Sequence, residues 1–159
     1  MCLYTCHRIE PKEDITCYKI VVTYKNIKDT YGSPFHVKRW RLGETCSIPK
    51  HQYETEPVVK YFKKGWQGSF SMIKGAAFHT YKRQEDAIYV LSMFRNNVIV
   101  GMAKERDRYV LAKCTIPKNS KYIFEGECSS PYITQPEGYA SEQLRVDEII
   151  DVTSELEQY

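Results

Sequence analysis

The sequence contains no long hydrophobic stretch. Apolar runs such as Ile20–Val22 and Val98–Val100 are short, whereas a helix that crosses a bilayer needs about 20 apolar residues. The first residues, Met1 to Arg8, also lack the apolar core of a secretory signal peptide. We therefore expect a cytoplasmic protein that makes no use of a membrane, with its cysteines kept reduced.

Signatures of catalysis and of metal binding are missing as well. None of the patterns G-x-x-x-x-G-K-[ST], G-x-G-x-x-G and G-x-S-x-G occurs, which excludes the usual phosphate-binding loops and the nucleophile turn of serine hydrolases. Cys2 and Cys6 have the spacing of half a structural zinc site, but no second pair follows. The sequence therefore predicts no metal site.

Aromatic residues, by contrast, are abundant. The 159 residues include 13 Tyr, 6 Phe and 2 Trp, and tyrosine favours half-buried strands. The length fits one domain. We predict a strand-rich α+β domain over residues 1–152, with mixed or antiparallel sheets and one amphipathic helix. An acidic tail, 153–159, then frays or forms a short helix.

Periodicity locates the elements of this domain. Residues 15–24 alternate in polarity, which predicts a strand. Ala87, Val90, Leu91 and Phe94 recur at helical spacing, which predicts a helix over about 82–94, with Thr80 as its cap. We expect further strands at 36–42, 76–81, 98–102, 108–116, 121–124 and 142–152, loops at 25–34 and 126–138, and a turn at 117–120. In the segment 43–71 we expect short strands, a long loop and a helical turn near 58–63.

Charge is distributed unevenly along the chain. Residues 1–83 carry 15 Lys and Arg against 7 Asp and Glu, while the remainder carries 8 against 13. Basic and aromatic residues are also interleaved at Phe35–Arg41 and Lys60–Trp66. This pattern suits phosphates and stacked bases, although a strand with one solvated face produces it too. A net charge of only +3 argues against extended nucleic acid, so a nucleotide-like anionic ligand is the hypothesis.

Two parts of the chain carry a family resemblance. The sequence GAAFHTY at 75–81, followed by EDA at 85–87, resembles the middle strand and helix of ADP-ribosyltransferase-like domains, and the segments 114–120 and 139–146 resemble their closing strands. The resemblance implies that fold, NAD as a cofactor, Glu142 at the acidic position, and His79 or Thr80 at the middle one. The family holds NAD with an Arg or His on its first strand, where this chain has Cys17-Tyr18-Lys19. That departure favours binding without catalysis.

The whole chain also resembles small uncharacterised proteins of phages and prophages from gut bacteria. The residues that carry this likeness are DITCYK, the GAAFHTY–EDA junction and CTIPKNSKY with the later YASEQL. The resemblance implies an accessory protein of a mobile element, for example one that acts in counter-defence.

These observations combine into one leading hypothesis and two alternatives. The strand at 75–81 and the start of the strand at 142–152 would line a cleft for a nucleotide-like or other anionic small ligand, with positive charge from 38–41. Alternatively, the chain is an active ADP-ribosyltransferase with Glu142 and His79 as catalytic residues, or a non-catalytic inhibitor that covers a host protein with its aromatic and basic surface. The candidate ligand residues are Tyr18, Lys19, Lys38, Arg39, Trp40, Arg41, His79, Thr80, Tyr81, Tyr139 and Glu142. Ordinary strand packing would also account for His79, Tyr81, Tyr139 and Glu142.

Overall fold

The described residues form an open antiparallel sheet with two helices. The computed structural model describes residues 3–34, 39–48, 58–63, 69–74, 77–101, 103, 105, 108–128 and 136–159. Within them the strands are β1 (Leu3–Arg8), β2 (Ile15–Thr23), β3 (Thr30–Gly32), β4 (Arg39–Arg41), β5 (Thr45–Ser47), β6 (Val58–Lys63), β7 (Ser69–Lys74), β8 (Phe78–Tyr81), β9 (Tyr109–Ile116), β10 (Ile123–Cys128), β11 (Glu137–Ser141) and β12 (Gln143–Ile150), and the helices are α1 (Gln84–Arg95) and α2 (Thr153–Leu156). The strand-rich α+β prediction is confirmed, in its antiparallel form.

Strand β2 lies at the centre of the sheet and joins its two parts. The strand order is β5-β12-β9-β2-β8-β11-β10-β1-β7-β6, and the β3–β4 pair branches from β2. One edge of β2 pairs with β9 along most of its length, from Ile15 to Val22. The other edge pairs with β8 at Tyr18 and with β3 at Val22 and Thr23. Strands β3 and β8 therefore diverge from a shared edge.

Helix α1 covers one face of the sheet. Leu91 and Phe94 are buried there against Ile20 and Val22 of β2, and we call this the helix-side cluster. The predicted helix and its apolar stripe are confirmed, but the predicted Thr80 cap is wrong. Arg83 precedes the helix without a side-chain cap, and its guanidinium instead pairs with Asp86 at 2.8 Å. Thr80 is fully buried within β8, since the strand continues past it to Tyr81.

The opposite face of the sheet holds a second core, which we call the hairpin-side cluster. It includes Cys17 and Val21 of β2, Cys114 of β9, and Trp40 of β4. Consecutive residues of a strand point to opposite faces, so β2 is buried on both sides, as a central strand must be. The alternation predicted for residues 15–24 thus describes only one of two buried faces.

Four expected elements differ from the observed ones. The loop expected at 25–34 contains strand β3, which pairs with β2 and β4. Residues 98–101 are not a strand, because Val98 and Ile99 both donate to the Met93 carbonyl at the end of α1, and Val100 is 81% exposed; Met102 lies outside the described residues. The helical turn expected near 58–63 is strand β6, because these residues pair with β7 from Val58 to Lys63. The loop expected at 126–138 is shorter, since Gly126 and Gly138 oppose each other across β10 and β11.

Several other expectations are confirmed. The turn at 117–120 closes with a hydrogen bond from the Ser120 N–H to the Pro117 carbonyl at 3.0 Å, and the tail forms the short helix α2. Neither described helix has the length and apolar character needed to cross a membrane.

Candidate functional site

A groove of about 470 Å³ lies between β4 and β5. It brings together two cations, a carboxylate, hydroxyl groups and a thiol, and it contains three of the residues predicted to bind a ligand. Its lining residues are Ile27, Thr30, Arg39, Trp40, Arg41, Glu44, Thr45 and Cys46.

The groove exists because β4 and β5 belong to different parts of the sheet. Strand β4 pairs with β3, and β5 pairs with β12. The turn between them is held by the Leu42 N–H, which donates to the Asp29 carbonyl at 3.0 Å, and by the Gly43 N–H, which donates to the Val146 carbonyl at 2.7 Å. Gly43 has φ +78°, a backbone conformation that glycine adopts without strain. Among the described residues no strand pairing joins β4 to β5, so the groove follows an unpaired seam.

Alternation along β4 separates its charges from its aromatic ring. Arg39 and Arg41 are exposed, whereas Trp40 between them is 2% exposed. The Arg39 guanidinium lies 5.0 Å from the centroid of the Tyr24 ring, which favours a cation–π contact. Arg41 Nη1 lies 3.9 Å from Glu44 Oε1, and both of these side chains are largely exposed. The groove therefore carries two accessible guanidinium groups, the donors best suited to phosphate or carboxylate.

Trp40 is part of the core and presents no open ring face for stacking. Its ring centroid lies 5.7 Å from that of Phe78, and the Lys19 ammonium lies 5.7 Å from the Trp40 centroid. Trp40 Nε1 is buried and has no hydrogen-bond partner among the described residues. Trp66, the other tryptophan, and Lys38 lie outside the described residues, and so do residues 35–37 of the patch Phe35–Arg41 and residues 64–65 of the patch Lys60–Trp66.

Lys19 and Thr80 lie on the hairpin side of the sheet, near the buried thiol of Cys17. Lys19 Nζ donates to the His79 carbonyl at 2.7 Å and so bridges β2 and β8. Burial raises the pKa of the Cys17 thiol to about 12 and outweighs the opposing hydrogen bond with Thr80. Burial likewise raises the pKa of the Cys114 thiol well above its usual value. Both thiols stay protonated near neutral pH and are unsuited to nucleophilic chemistry.

Other candidate residues lie on both faces of the sheet. Tyr81 is buried in the helix-side cluster and Tyr18 packs against that cluster. His79 opposes Ala140, a residue of the same cluster, and so its side chain falls on the helix side. Tyr139 belongs to the hairpin-side cluster, and burial raises the pKa of its hydroxyl. The structure thus separates Tyr18, His79 and Tyr81 from the groove.

Glu142 is buried and hydrogen-bonded within the fold. It lies between β11 and β12, is 6% exposed, and its Oε1 accepts a hydrogen bond from the Lys121 N–H at 2.5 Å. Its carbonyl accepts another from the Ile48 N–H at 3.0 Å. Glu142 directly follows Ser141, which opposes Phe78 of β8, whereas the rest of β12 is separated from β8 by β9 and β2. Neither the groove nor the cavity near Arg95 includes Glu142 or a residue of β8, so the predicted cleft between the strand ending at Tyr81 and the strand starting at Glu142 stays a prediction.

The groove includes residues that the sequence hypothesis did not contain. Glu44, Thr45 and Cys46 reach the site because the chain reverses at Gly43, and Thr30 reaches it because it pairs with Arg41 across β3 and β4. The sequence signal was the glycine between two short segments, which is typical of a turn. A second cavity of about 260 Å³, near Val110 and Ile150, includes Arg95, but this guanidinium already donates to the Tyr109 carbonyl at 3.1 Å.

Comparison of the chain with models of protein families, with curated proteins and with solved structures gave no match.

Proposed function

We propose that this chain binds a small phosphate-bearing, nucleotide-like ligand in the groove between β4 and β5. The observation that carries the proposal is the pair of exposed arginines, Arg39 and Arg41, on the wall of a groove of about 470 Å³. Ligand pockets of proteins commonly have volumes of roughly 300–1,000 Å³. Glu44 offsets only part of the positive charge, through a contact that water screens.

The chemistry of the guanidinium group favours an anion over a neutral ligand. Each guanidinium can donate two parallel hydrogen bonds to phosphate oxygens. Thr30 and Thr45, which also line the groove, have hydroxyls that can donate to phosphate or to a sugar. An ADP-ribosyltransferase-like architecture, NAD as a ligand and a phage accessory role remain part of this proposal through the sequence resemblances alone.

Catalysis at Glu142 gains no support from its surroundings. Its carboxylate is buried and accepts a backbone hydrogen bond, whereas a group that orients an attacking nucleophile must reach the substrate. The alternative of a protein inhibitor gains no support from Trp40, because its ring is buried and cannot contact a host protein. Binding at the groove is the function that the geometry supports best.

The test is ligand-dependent stabilisation of the folded protein. We expect a nucleoside monophosphate, a cyclic nucleotide or NAD to raise the melting temperature, since a ligand that binds the native state must stabilise it. Substituting both arginines (Arg39→Gln with Arg41→Gln) should weaken binding by about a hundredfold, because each charge-assisted contact is worth about tenfold or more. A matched control removes the same charge from exposed Lys12 and Lys118 and should retain binding.

The groove thiol provides a second, local measurement. Cys46 is partly exposed and lines the groove, while Cys17 and Cys114 are buried. A bound ligand should therefore slow alkylation of Cys46 by iodoacetamide, measured peptide by peptide. The proposal fails if none of the three ligand types changes the melting temperature, or if the control pair loses as much affinity as the arginine pair.

A further inference from the structure

Trp40 combines two properties that standard core packing does not explain. It lines the groove, and its buried indole N–H has no hydrogen-bond partner among the described residues. Buried donors in native proteins are almost always satisfied, and each exception calls for an explanation. The indole nitrogen is a donor only, so an acceptor atom is what this position lacks.

Two side chains that contact the Trp40 ring, Phe78 and Lys19, do not supply that acceptor. The Phe78 ring packs against it and is apolar. The Lys19 ammonium, 5.7 Å from the ring centroid, is itself a donor and already bonds the His79 carbonyl. Along the seam beside Trp40, no strand pairing joins β4 to β5 among the described residues. A ligand that enters the groove can part β4 from β5 there without breaking a strand ladder.

We propose that Trp40 is the specificity-determining residue of the groove, with its indole N–H donating to a carbonyl oxygen or ring nitrogen of a nucleobase. This inference rests on the proposed function: Arg39 and Arg41 hold the phosphate at the rim, and Trp40 recognises the base at the floor. The base does not stack on Trp40, because that residue is only 2% exposed. The ligand class is therefore a nucleoside phosphate rather than a sugar phosphate or inorganic phosphate.

The expected selectivity follows from the buried donor. A ligand that places an acceptor at Nε1 satisfies it, whereas a ligand without a base leaves it unsatisfied. Each of the four ribonucleoside 5′-monophosphates should be compared with ribose 5-phosphate, which carries the same phosphate without a base. We expect at least one nucleotide to bind about tenfold or more tightly than ribose 5-phosphate.

Nuclear magnetic resonance of the indole groups tests the contact directly. The chain has two tryptophans, Trp40 and Trp66, so two indole N–H resonances are expected, and the Trp66→Phe variant assigns them. The Trp40 resonance should shift when the preferred nucleotide is added and should stay in place with ribose 5-phosphate. Trp40→Phe keeps a ring against Phe78 but removes the donor, and it should bind the nucleotide about tenfold more weakly while ribose 5-phosphate affinity is unchanged.

The outcomes separate this inference from the proposed function. If ribose 5-phosphate binds as tightly as every nucleotide and the Trp40 resonance does not move, Trp40 recognises no base, while phosphate binding by the arginines stands. If no phosphate compound binds, both are overturned. Should Trp40→Phe fail to fold, the titration of the unaltered protein still decides, because a stationary Trp40 resonance in the nucleotide-saturated protein rules the contact out.

Discussion

The two faces of strand β2 are covered in different ways and have different chemistry. On the helix side, Ile20 and Val22 meet Leu91 and Phe94 of α1. On the hairpin side, the same strand contributes Cys17 and Lys19 to a region closed by the short β3–β4 pair. The helix supplies a continuous apolar stripe, whereas the hairpin supplies three-residue strands and a groove.

This difference indicates a division of labour. Burying an apolar side chain contributes about 1.5–3 kcal/mol, while a buried polar group adds little unless it is fully hydrogen-bonded. Both sides bury an apolar cluster that stabilises the fold, but the hairpin side also buries thiols and the Lys19 ammonium. The helix side should therefore contribute mainly through apolar burial, whereas the hairpin side should in addition respond to ligands and to pH.

The largest expected effect is on the helix side. Leu91 is fully buried in its cluster, so Leu91→Ala should lower the free energy of unfolding by about 3 kcal/mol through lost apolar contact and a residual cavity. Urea denaturation measures the change. Val100→Ala is the matched control, because Val100 is 81% exposed and should change stability by less than about 0.5 kcal/mol. A loss below about 1 kcal/mol for Leu91→Ala would contradict the division of labour.

The next effect is a loss of stability at alkaline pH on the hairpin side. Burial raises the pKa of Cys17 from 9.0 to about 12, so above pH 9 the unfolded chain releases this proton while the folded chain retains it. The thiol's contribution is therefore fully present below about pH 9 and is lost as pH rises toward 12. The expected slope is about 1.4 kcal/mol per pH unit for this group.

Urea denaturation at pH 8 and pH 10 measures that slope. Cys17→Ala should lower stability at pH 8, because it leaves a small cavity, but it should reduce the alkaline slope relative to the unaltered protein. Cys46→Ala is the control, since Cys46 is partly exposed. Equal slopes for the unaltered protein and Cys17→Ala would show that burial of this thiol does not couple folding to pH.

A smaller effect distinguishes structure from catalysis at Glu142. Its buried carboxylate satisfies the Lys121 N–H, so Glu142→Ala should cost about 1–3 kcal/mol by leaving that donor unpaired. Glu142→Gln retains an acceptor oxygen and should cost less. Urea denaturation of both variants measures this, together with a radiolabel assay for transfer from NAD. If the unaltered protein transfers the label and a fully stable Glu142→Gln variant does not, the enzyme alternative is favoured. If the variant still transfers the label, Glu142 is not a catalytic residue.

Sequence patterns predict the local parts of this structure well and the long-range parts poorly. Helix α1 depends on the spacing of Ala87, Val90, Leu91 and Phe94 within one segment, and it was predicted almost to its ends. The alternation Arg39-Trp40-Arg41 was compatible with a solvated face beside a buried one, and this is the arrangement observed. By contrast, the partner of Glu142 lies 21 residues away along the chain, at a distance that no periodicity encodes.

The groove shows why the site itself was predicted only in part. Arg39, Trp40 and Arg41 were identified from composition, but Thr30 and Cys46 join them through strand pairing and the turn at Gly43. Which face a residue occupies depends on register: Thr80 and His79 are neighbours in sequence but point to opposite clusters. Register is set by partners elsewhere in the chain, and so the predicted cleft combined residues from two faces.

The smallest effect concerns charge at the surface, where neither core is involved. Lys82 Nζ lies 2.7 Å from Glu125 Oε1 and 3.0 Å from Glu137 Oε2, and hydrogen bonds to these two carboxylates hold the pKa of Lys82 above its usual range. Because Lys82 is 39% exposed, water screens both contacts, and Lys82→Met should cost about 1 kcal/mol or less.

The control is Lys25→Met, which removes a single, more exposed ion pair with Glu105 and should lower the free energy of unfolding by less still. Urea denaturation at 0.05 M and 1 M NaCl measures both variants, and the Lys82 effect should shrink at high salt, where the Debye length falls to about 3 Å. If Lys82→Met destabilised the protein as much as Leu91→Ala does, and did so at high salt as well, the two ion pairs of Lys82 would contribute as much to stability as apolar burial in the helix-side cluster.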